Sequence, residues 1–304
     1  MKKLIPVLTA LVLLLAACGQ TAQEDAAPGQ PLIVATTYPV YLFTEAVLGE
    51  EEDYQLTLML DQPISCLHDY TLSVSDMKLL EQADLVVMNG AGLEDSMGDA
   101  LTAAGAGAVI DCSQGIELLP YADRHQEDGD HSGEDPHIWM DPLLACRMID
   151  TIAEGLAQAD PDRGDAYRAN AQAARERIEA AYGEMKTSLE DLSCRELVTF
   201  HDGFAYFARA FDLTVLRSIE EEAGSEASAQ EVGEIMETVR SHHLPAVFTE
   251  KNGSSATAEM IASECGISVA SLDLLMSRDH GASGLDAYLD GIAANVDAIR
   301  EACA

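Results

Sequence analysis

"DAYRANAQAARERIEAAYGEMKTSLEDL", residues 165 to 192, carries Tyr167, Ala171, Ala174, Ile178, Ala181, Met185 and Leu189 at intervals of three and four. Side chains spaced in this way fall on one face of an α-helix. No proline interrupts the run, and Gly183 is its only glycine. Twenty-eight residues at 1.5 Å each reach roughly 42 Å, the length of a pair of small lobes. The stripe is rich in alanine and lacks sustained leucine heptads, so it reads as a rigid spine joining two lobes rather than as a coiled-coil seam.

On the N-terminal side of this spine, strand-like and helix-like segments alternate. Leu32 to Thr36 is β-branched and apolar, Tyr41 to Leu48 is helical, and Tyr54 to Leu60 is a strand. Ser73 to Gln82 opens with the capping-box pattern Ser73-x-x-Asp76, and Asp84 to Met88 reads as a buried strand. On the C-terminal side a second series begins with ELVTF at Glu196, followed by a helix from Gly203 to Phe211 and a strand from Leu213 to Leu216. A helix from Ser228, boxed by Ser228-x-x-Glu231, carries Val232, Ile235, Met236 and Val239 on one face. The strand Ala246 to Thr249, the helix Ser254 to Glu264 stopped by Gly266, the strand Ile267 to Leu272 and a last helix from Leu285 complete the series. Alternation of this kind builds parallel sheets covered by helices. The fold expected is α/β: two lobes, residues 31–160 and 194–304, each a parallel sheet covered by helices, joined by one long backbone helix within 161–193.

The N-terminus sets the compartment. Lys2 and Lys3 precede an apolar run from Leu4 to Leu15, the layout of a secretory signal and too short for a permanent span. Leu15-Ala16-Ala17-Cys18 resembles the lipobox of bacterial lipoproteins, whose cysteine becomes the lipidated first residue. Residues 1–17 are therefore expected to be a signal peptide and 18–30 a flexible tether, with the chain extracytoplasmic and lipid-anchored to the membrane through Cys18. The formal charge of −36 becomes −38 once Lys2 and Lys3 are removed. Such a surface repels nucleic acid and anionic lipid, so the body is expected to touch the membrane only through its anchor.

The histidines fall at informative places on this frame. His201 follows ELVTF, Asp273 follows the strand ending at Leu272, and His68 lies in the loop "DQPISCLHDY" between a strand and a helix. In open parallel sheets, ligands bind beyond the carboxyl ends of strands. His137 stands in "DPHIWMDP", where Pro136 and Pro142 fix its approach to a helix carrying Met148, Ile149, Ile152 and Leu156. Three imidazoles and one carboxylate suit the tetrahedral preference of Zn2+.

The order HDY, DPHIWMDP, a strand ending in H-D-x-F and a final strand ending in an acid resembles the zinc and manganese substrate-binding lipoproteins of bacterial ABC transporters, and the resemblance covers essentially the whole mature chain, from "IVATTYPVY" onward. It implies two α/β lobes with metal between them, the ligands His68, His137, His201 and Asp273, zinc as the transported cargo, a permease of ABC type as partner, a monomer, and no enzymatic activity. Histidine rather than a carboxylate at position 201 favours Zn2+ over the harder Mn2+. Zinc-binding relatives tie the last strand region to the C-terminal helix, which implies a disulfide between Cys265 and Cys303. Leu67 stands where an acid is common in relatives, and Cys66 adds a sulfur nearby. The sequence leaves the partners of Cys66, Cys112, Cys146 and Cys194 open.

His125 and His131 lie in the acidic stretch 125–135, which resembles a short version of the loop that zinc-binding members carry and reads equally as a solvated surface loop. Calcium is not indicated: in Asp128-x-Asp130-x-Ser132-Gly133 the twelfth position is Trp139, which cannot supply a bidentate carboxylate. Two alternatives remain: a zinc-dependent hydrolase, with Glu220 to Glu222 or Glu250 as base, and a metal-binding surface adhesin. No HExxH, GxSxG or phosphate-loop pattern supports the first, and Gly105-Ala106-Gly107 lacks the context of a dinucleotide site.

Overall fold

The structure is a computed structural model that describes residues 29–49, 53–61, 70–98, 108–120, 133–220, 228–278 and 283–304. Two four-stranded parallel sheets form its two halves. The first contains β1 (Leu32–Ala35), β2 (Gln55–Leu58), β3 (Leu85–Met88) and β4 (Val109–Asp111), in the order β2-β1-β3-β4. Every residue of β1 is buried, as expected of a central strand covered on both faces. The segment forming β4 was not anticipated; it is three residues long, lies at the sheet edge and buries only Ile110, too short to show a period.

Helix α1 (Tyr38–Leu48) starts three residues earlier than expected, because Pro39 in its first turn has φ preset for a helix and needs no amide partner there. Helix α2 (Val74–Gln82) has the expected box: the Ser73 hydroxyl accepts from the Asp76 amide at 3.2 Å, and the Asp76 carboxylate accepts from the Ser73 amide at 2.7 Å. Helix α3 (Pro142–Ala159) is capped by Asp141, whose Oδ1 accepts from the Leu143 amide at 2.9 Å. It runs along α4 (Gly164–Ser188), the spine, whose buried face is Tyr167, Ala171, Ala174, Ile178 and Met185. The spine is 25 residues and roughly 37 Å long, ending before the expected Leu192 in a turn that buries Leu189.

The second sheet contains β5 (Glu196–His201), β6 (Thr214–Glu220), β7 (Ala246–Glu250) and β8 (Ser268–Leu272), in the order β6-β5-β7-β8. Its helices are α5 (Ala205–Ala210), α6 (Ala229–His242), α7 (Ala256–Cys265) and α8 (Gly284–Cys303). The box at α6 forms as expected, with Ile235 and Val239 buried. Gly266 ends α7 in the left-handed conformation at φ +70°, where a Cβ would be strained.

One hydrophobic cluster runs from β1 through α3 and the spine to α8, and a smaller one lies between the second sheet and the helices α6 and α7. Helix α8 belongs to both halves. It packs beside β8 and against α1, where the Tyr288 ring meets Phe43 at 4.9 Å edge-on, and the Tyr288 hydroxyl donates to the Trp139 carbonyl at 2.8 Å. Among the described residues no helix is long and apolar enough to cross a membrane.

Candidate metal centre

The segment DPHIWMDP forms a buried turn of 3-10 helix at Ile138–Met140, with all three of its residues fully enclosed. The apolar trio anchors the segment, and His137 immediately before it is 2% exposed. The Trp139 indole donates to the Leu274 carbonyl at 2.8 Å, tying this turn to the loop after β8.

His137 is oriented by Asp135. The Asp135 Oδ1 lies 2.8 Å from His137 Nδ1 and also accepts from the His137 amide at 2.9 Å. A carboxylate on Nδ1 places the proton there and leaves Nε2 as the lone-pair nitrogen, the arrangement that prepares an imidazole for a metal. Asp135 is itself held: its amide donates to the Leu119 carbonyl at 2.7 Å and its carbonyl accepts from the Tyr206 hydroxyl at 3.0 Å. The sequence reading overlooked Asp135; the signal was a carboxylate two positions before a histidine in a proline-stiffened turn.

His201 is the last residue of β5 and is 3% exposed. Its ring centroid lies 5.5 Å from that of His137, with the planes at 86°. Two imidazoles from different halves of the chain thus share one buried point. Gly203 makes the approach possible: a Cβ at that position would stand 2.9 Å from the His201 Cδ2, 2.9 Å from the Leu274 Cδ2 and 3.1 Å from the His137 Cδ2.

Asp273 lies in the next loop, clamped by Asn295, whose Oδ1 accepts from the Asp273 amide at 2.7 Å and whose Nδ2 donates to its carbonyl at 2.8 Å. Its carboxylate receives the Leu275 amide at 2.7 Å on Oδ1 and the Lys251 ammonium at 3.0 Å on Oδ2. Leu275 adopts φ +60°, a strained value for a branched side chain, and seats against Gly291, where a Cβ would be 2.1 Å from the Leu275 Cδ2. The loop is therefore held in one shape from several sides.

A layer of polar groups supports the turn from the first sheet. Glu94 is buried and accepts from the Thr36 hydroxyl at 2.7 Å, the Asn89 amide at 2.8 Å and the Gly90 amide at 3.0 Å. Burial pushes its carboxyl up to about 7, with those donors opposing the rise. The Asn89 side chain then donates to the Pro136 carbonyl at 2.9 Å, one residue before His137.

His137 and His201 are thus brought together, while the Asp273 carboxylate is engaged with Lys251. Among the described residues no three His, Cys, Asp or Glu side chains form a group that could hold a metal ion. His68, Cys66, Cys18, His125, His131 and residues 221–222 lie outside the described residues. Glu250, the alternative base, is buried at the end of β7. Cys265 and Cys303, the pair expected from the resemblance, are free thiols in the structure, as are Cys112, Cys146 and Cys194. Cys265 ends α7 within the smaller cluster, whereas Cys303 belongs to the main one, near Cys194.

The chain is similar to known proteins over most of its length. The family described as ZnuA, zinc-uptake complex component A, periplasmic, matches residues 33–302. The high-affinity zinc uptake system protein ZnuA of Bacillus subtilis is 27% identical over 309 residues, covering 97% of this chain and 95% of that protein. A crystal structure of ZnuA superposes with a TM-score of 0.77 at 30% identity, covering 90% of this chain and all of the other. The laminin-binding protein of Streptococcus agalactiae, described as bifunctional with adhesin and metal-transporting activity, superposes at 0.76 with 26% identity, covering 90% of this chain and 99% of that one.

Proposed function

We propose, because this chain belongs to the ZnuA family of zinc-uptake component A proteins, that it captures Zn2+ outside the cytoplasm and delivers it to an ABC permease. The observation that carries the reading is the buried meeting of His137 and His201 at 5.5 Å, with Asp135 fixing the Nδ1 of His137. Zinc is cargo here, and the ligand set is His68, His137 and His201, completed by Asp273. Three nitrogens and one oxygen favour Zn2+ over Mn2+, and the Irving–Williams order runs the same way. For Asp273 to reach the metal, its ion pair with Lys251 must open; that pair is partly exposed, so the exchange costs little. Residues 31–160 and 194–304 act as the two lobes, and the chain works as a monomer held to the membrane through lipidated Cys18.

The protein binds without turnover. The ZnuA family membership favours this over a zinc hydrolase, and the likeness to a bifunctional adhesin leaves surface adhesion as a second role of the same fold. Titration calorimetry with competing chelators tests the capture. Wild-type protein is expected to prefer Zn2+ to Mn2+, and His201→Ala to lose most of the zinc affinity. A His201→Ala variant with wild-type affinity, or ester or phosphate turnover that disappears in it, would overturn the reading.

A further inference from the structure

The chain turn that leads into β5 and the last turn of α8 are bound to each other. The Ser193 amide and hydroxyl both donate to the Cys303 carbonyl, at 3.0 Å and 2.8 Å, across 110 positions of sequence. The next residue, Cys194, is half-buried, its thiol donates to the Glu196 carbonyl at 3.5 Å, and it lies near enough to the thiol of Cys303, which is 1% exposed, to raise that thiol's pKa. Two backbones held together at this point bring Cys194 and Cys303 to the same place in the fold.

We propose that Cys194 and Cys303 are a disulfide-forming pair that cross-links the first strand of the second sheet to the C-terminal helix when the folded chain meets a disulfide oxidant. The Cys194 thiolate, being the more accessible, attacks one sulfur of the oxidant R–S–S–R, and one RS– leaves and takes up a proton. The Cys303 thiolate then attacks the Cys194 sulfur of the mixed disulfide, the second RS– leaves, and the protein has lost two protons and two electrons to the oxidant, now two RSH. Burial, with the Cys194 thiol adding to it, pushes the Cys303 thiol up to about 11, which sets this order: the buried sulfur resolves and does not initiate.

The consequence is mechanical. Helix α8 braces α1 through Tyr288 and Phe43, holds the Trp139 carbonyl, and clamps the Asp273 loop through Asn295. A bond at its last turn fixes the end of a helix that touches both halves and the Asp273 loop. The proposal leans on the extracytoplasmic placement proposed above only for its oxidant, since that compartment is where such bonds persist.

The test uses the purified folded chain, reduced, then incubated with oxidised glutathione, alkylated after unfolding, digested without reductant and mapped by mass spectrometry. A peptide pair joining Cys194 to Cys303 is expected, with Cys265 alkylated. Both cysteines alkylated, Cys303 joined to Cys265, or Cys194 arrested as a glutathione adduct beside an alkylated Cys303 would each overturn the proposal. As a second readout, reductant should lower the thermal midpoint of oxidised wild-type protein by roughly 5–10 °C and leave that of Cys194→Ser unmoved; equal responses would overturn it. Zinc titration of the same samples separates the two ideas: a chain that forms the cross-link and takes up no zinc supports the pair and refutes the capture function.

Discussion

Gly203→Ala inserts one methyl group at the point where the two imidazoles meet. The new Cβ would stand 2.9 Å from the His201 ring, 2.9 Å from Leu274 and 3.1 Å from the His137 ring. Ordinary carbon contacts lie at about 3.5–4.0 Å, so each neighbour must retreat by roughly 0.5–1 Å. The backbone of Gly203 is outside the left-handed region, which leaves sterics as the sole cost. None of the three groups can swing away freely: His137 is pinned by Asp135, His201 ends a central strand, and the Leu274 carbonyl is held by Trp139. Inserting a methyl into such a site costs about 1–3 kcal/mol. A metal tolerates displacement of only about 0.2 Å in its ligands, so strain that the free protein relieves by spreading the rings is charged to binding when the metal pulls them back. The loss in zinc affinity and the loss in free-protein stability should therefore sum to roughly 1–3 kcal/mol, with affinity falling by about 5- to 150-fold where binding carries all of it. Chelator competition and urea unfolding of the metal-free protein measure the two parts. Gly183→Ala is the control, because a Cβ there meets nothing within 4 Å on an exposed face of the spine, and it should stabilise by about 0.5–1 kcal/mol. Unchanged affinity together with unchanged stability in Gly203→Ala would refute the placement of the histidine pair.

Asp135→Asn should lower zinc affinity by roughly 10- to 100-fold with little change in fold, because the amide no longer fixes the His137 tautomer; equal affinity by chelator competition would remove Asp135 from the site. Lys251→Gln should raise zinc affinity by at most about fivefold if Asp273 is a ligand, since a partly exposed pair is worth up to about 1 kcal/mol, and no change would argue that Asp273 stays off the metal. Glu94 binds its proton more tightly in the folded chain than in the unfolded one, so its contribution is full below about pH 4.5 and lost as pH rises through about 7, up to about 3 kcal/mol in the metal-free protein. Glu94→Gln should flatten that part of the urea-midpoint profile; parallel profiles would contradict the assignment. Cys18→Ala should release the protein from the membrane fraction while zinc binding persists, and unchanged retention would dismiss the lipid anchor.

What was legible and what was not divides by the range of the interaction. The boxes at Ser73 and Ser228, the stop at Gly266 and the stripe of the spine are set by residues within a turn or two of one another, and each appears where its local pattern put it. The early start of α1 turns on Pro39, which would break a helix in its interior but favours one in the first turn. Strand β4 offered one buried residue, too little for a period of two. His201 could be placed at a strand end because parallel topology sends strand ends to one edge, a rule needing only the order of elements.

The remaining groups at the site depend on which strand ends are neighbours. Lys251 and Asp273 follow β7 and β8, and their ion pair arises from the register that sets Glu250 beside Leu272. Nothing in either local sequence announces it. Cys303 comes near Cys194 for the same kind of reason: Ser193, in the turn before β5, binds the carbonyl of Cys303 across 110 positions of sequence. The resemblance to relatives points instead to Cys265, at the end of a helix on the smaller cluster. The zinc centre has the same character. The ligands proposed for it are short-range features, each visible in its own motif, but the glycine that lets two rings approach, the carboxylate that turns one of them and the lysine paired with the proposed fourth ligand are supplied by the packing of the two halves. Changes at Gly203, Asp135 and Lys251 should therefore alter zinc capture in opposite directions without altering a single coordinating side chain.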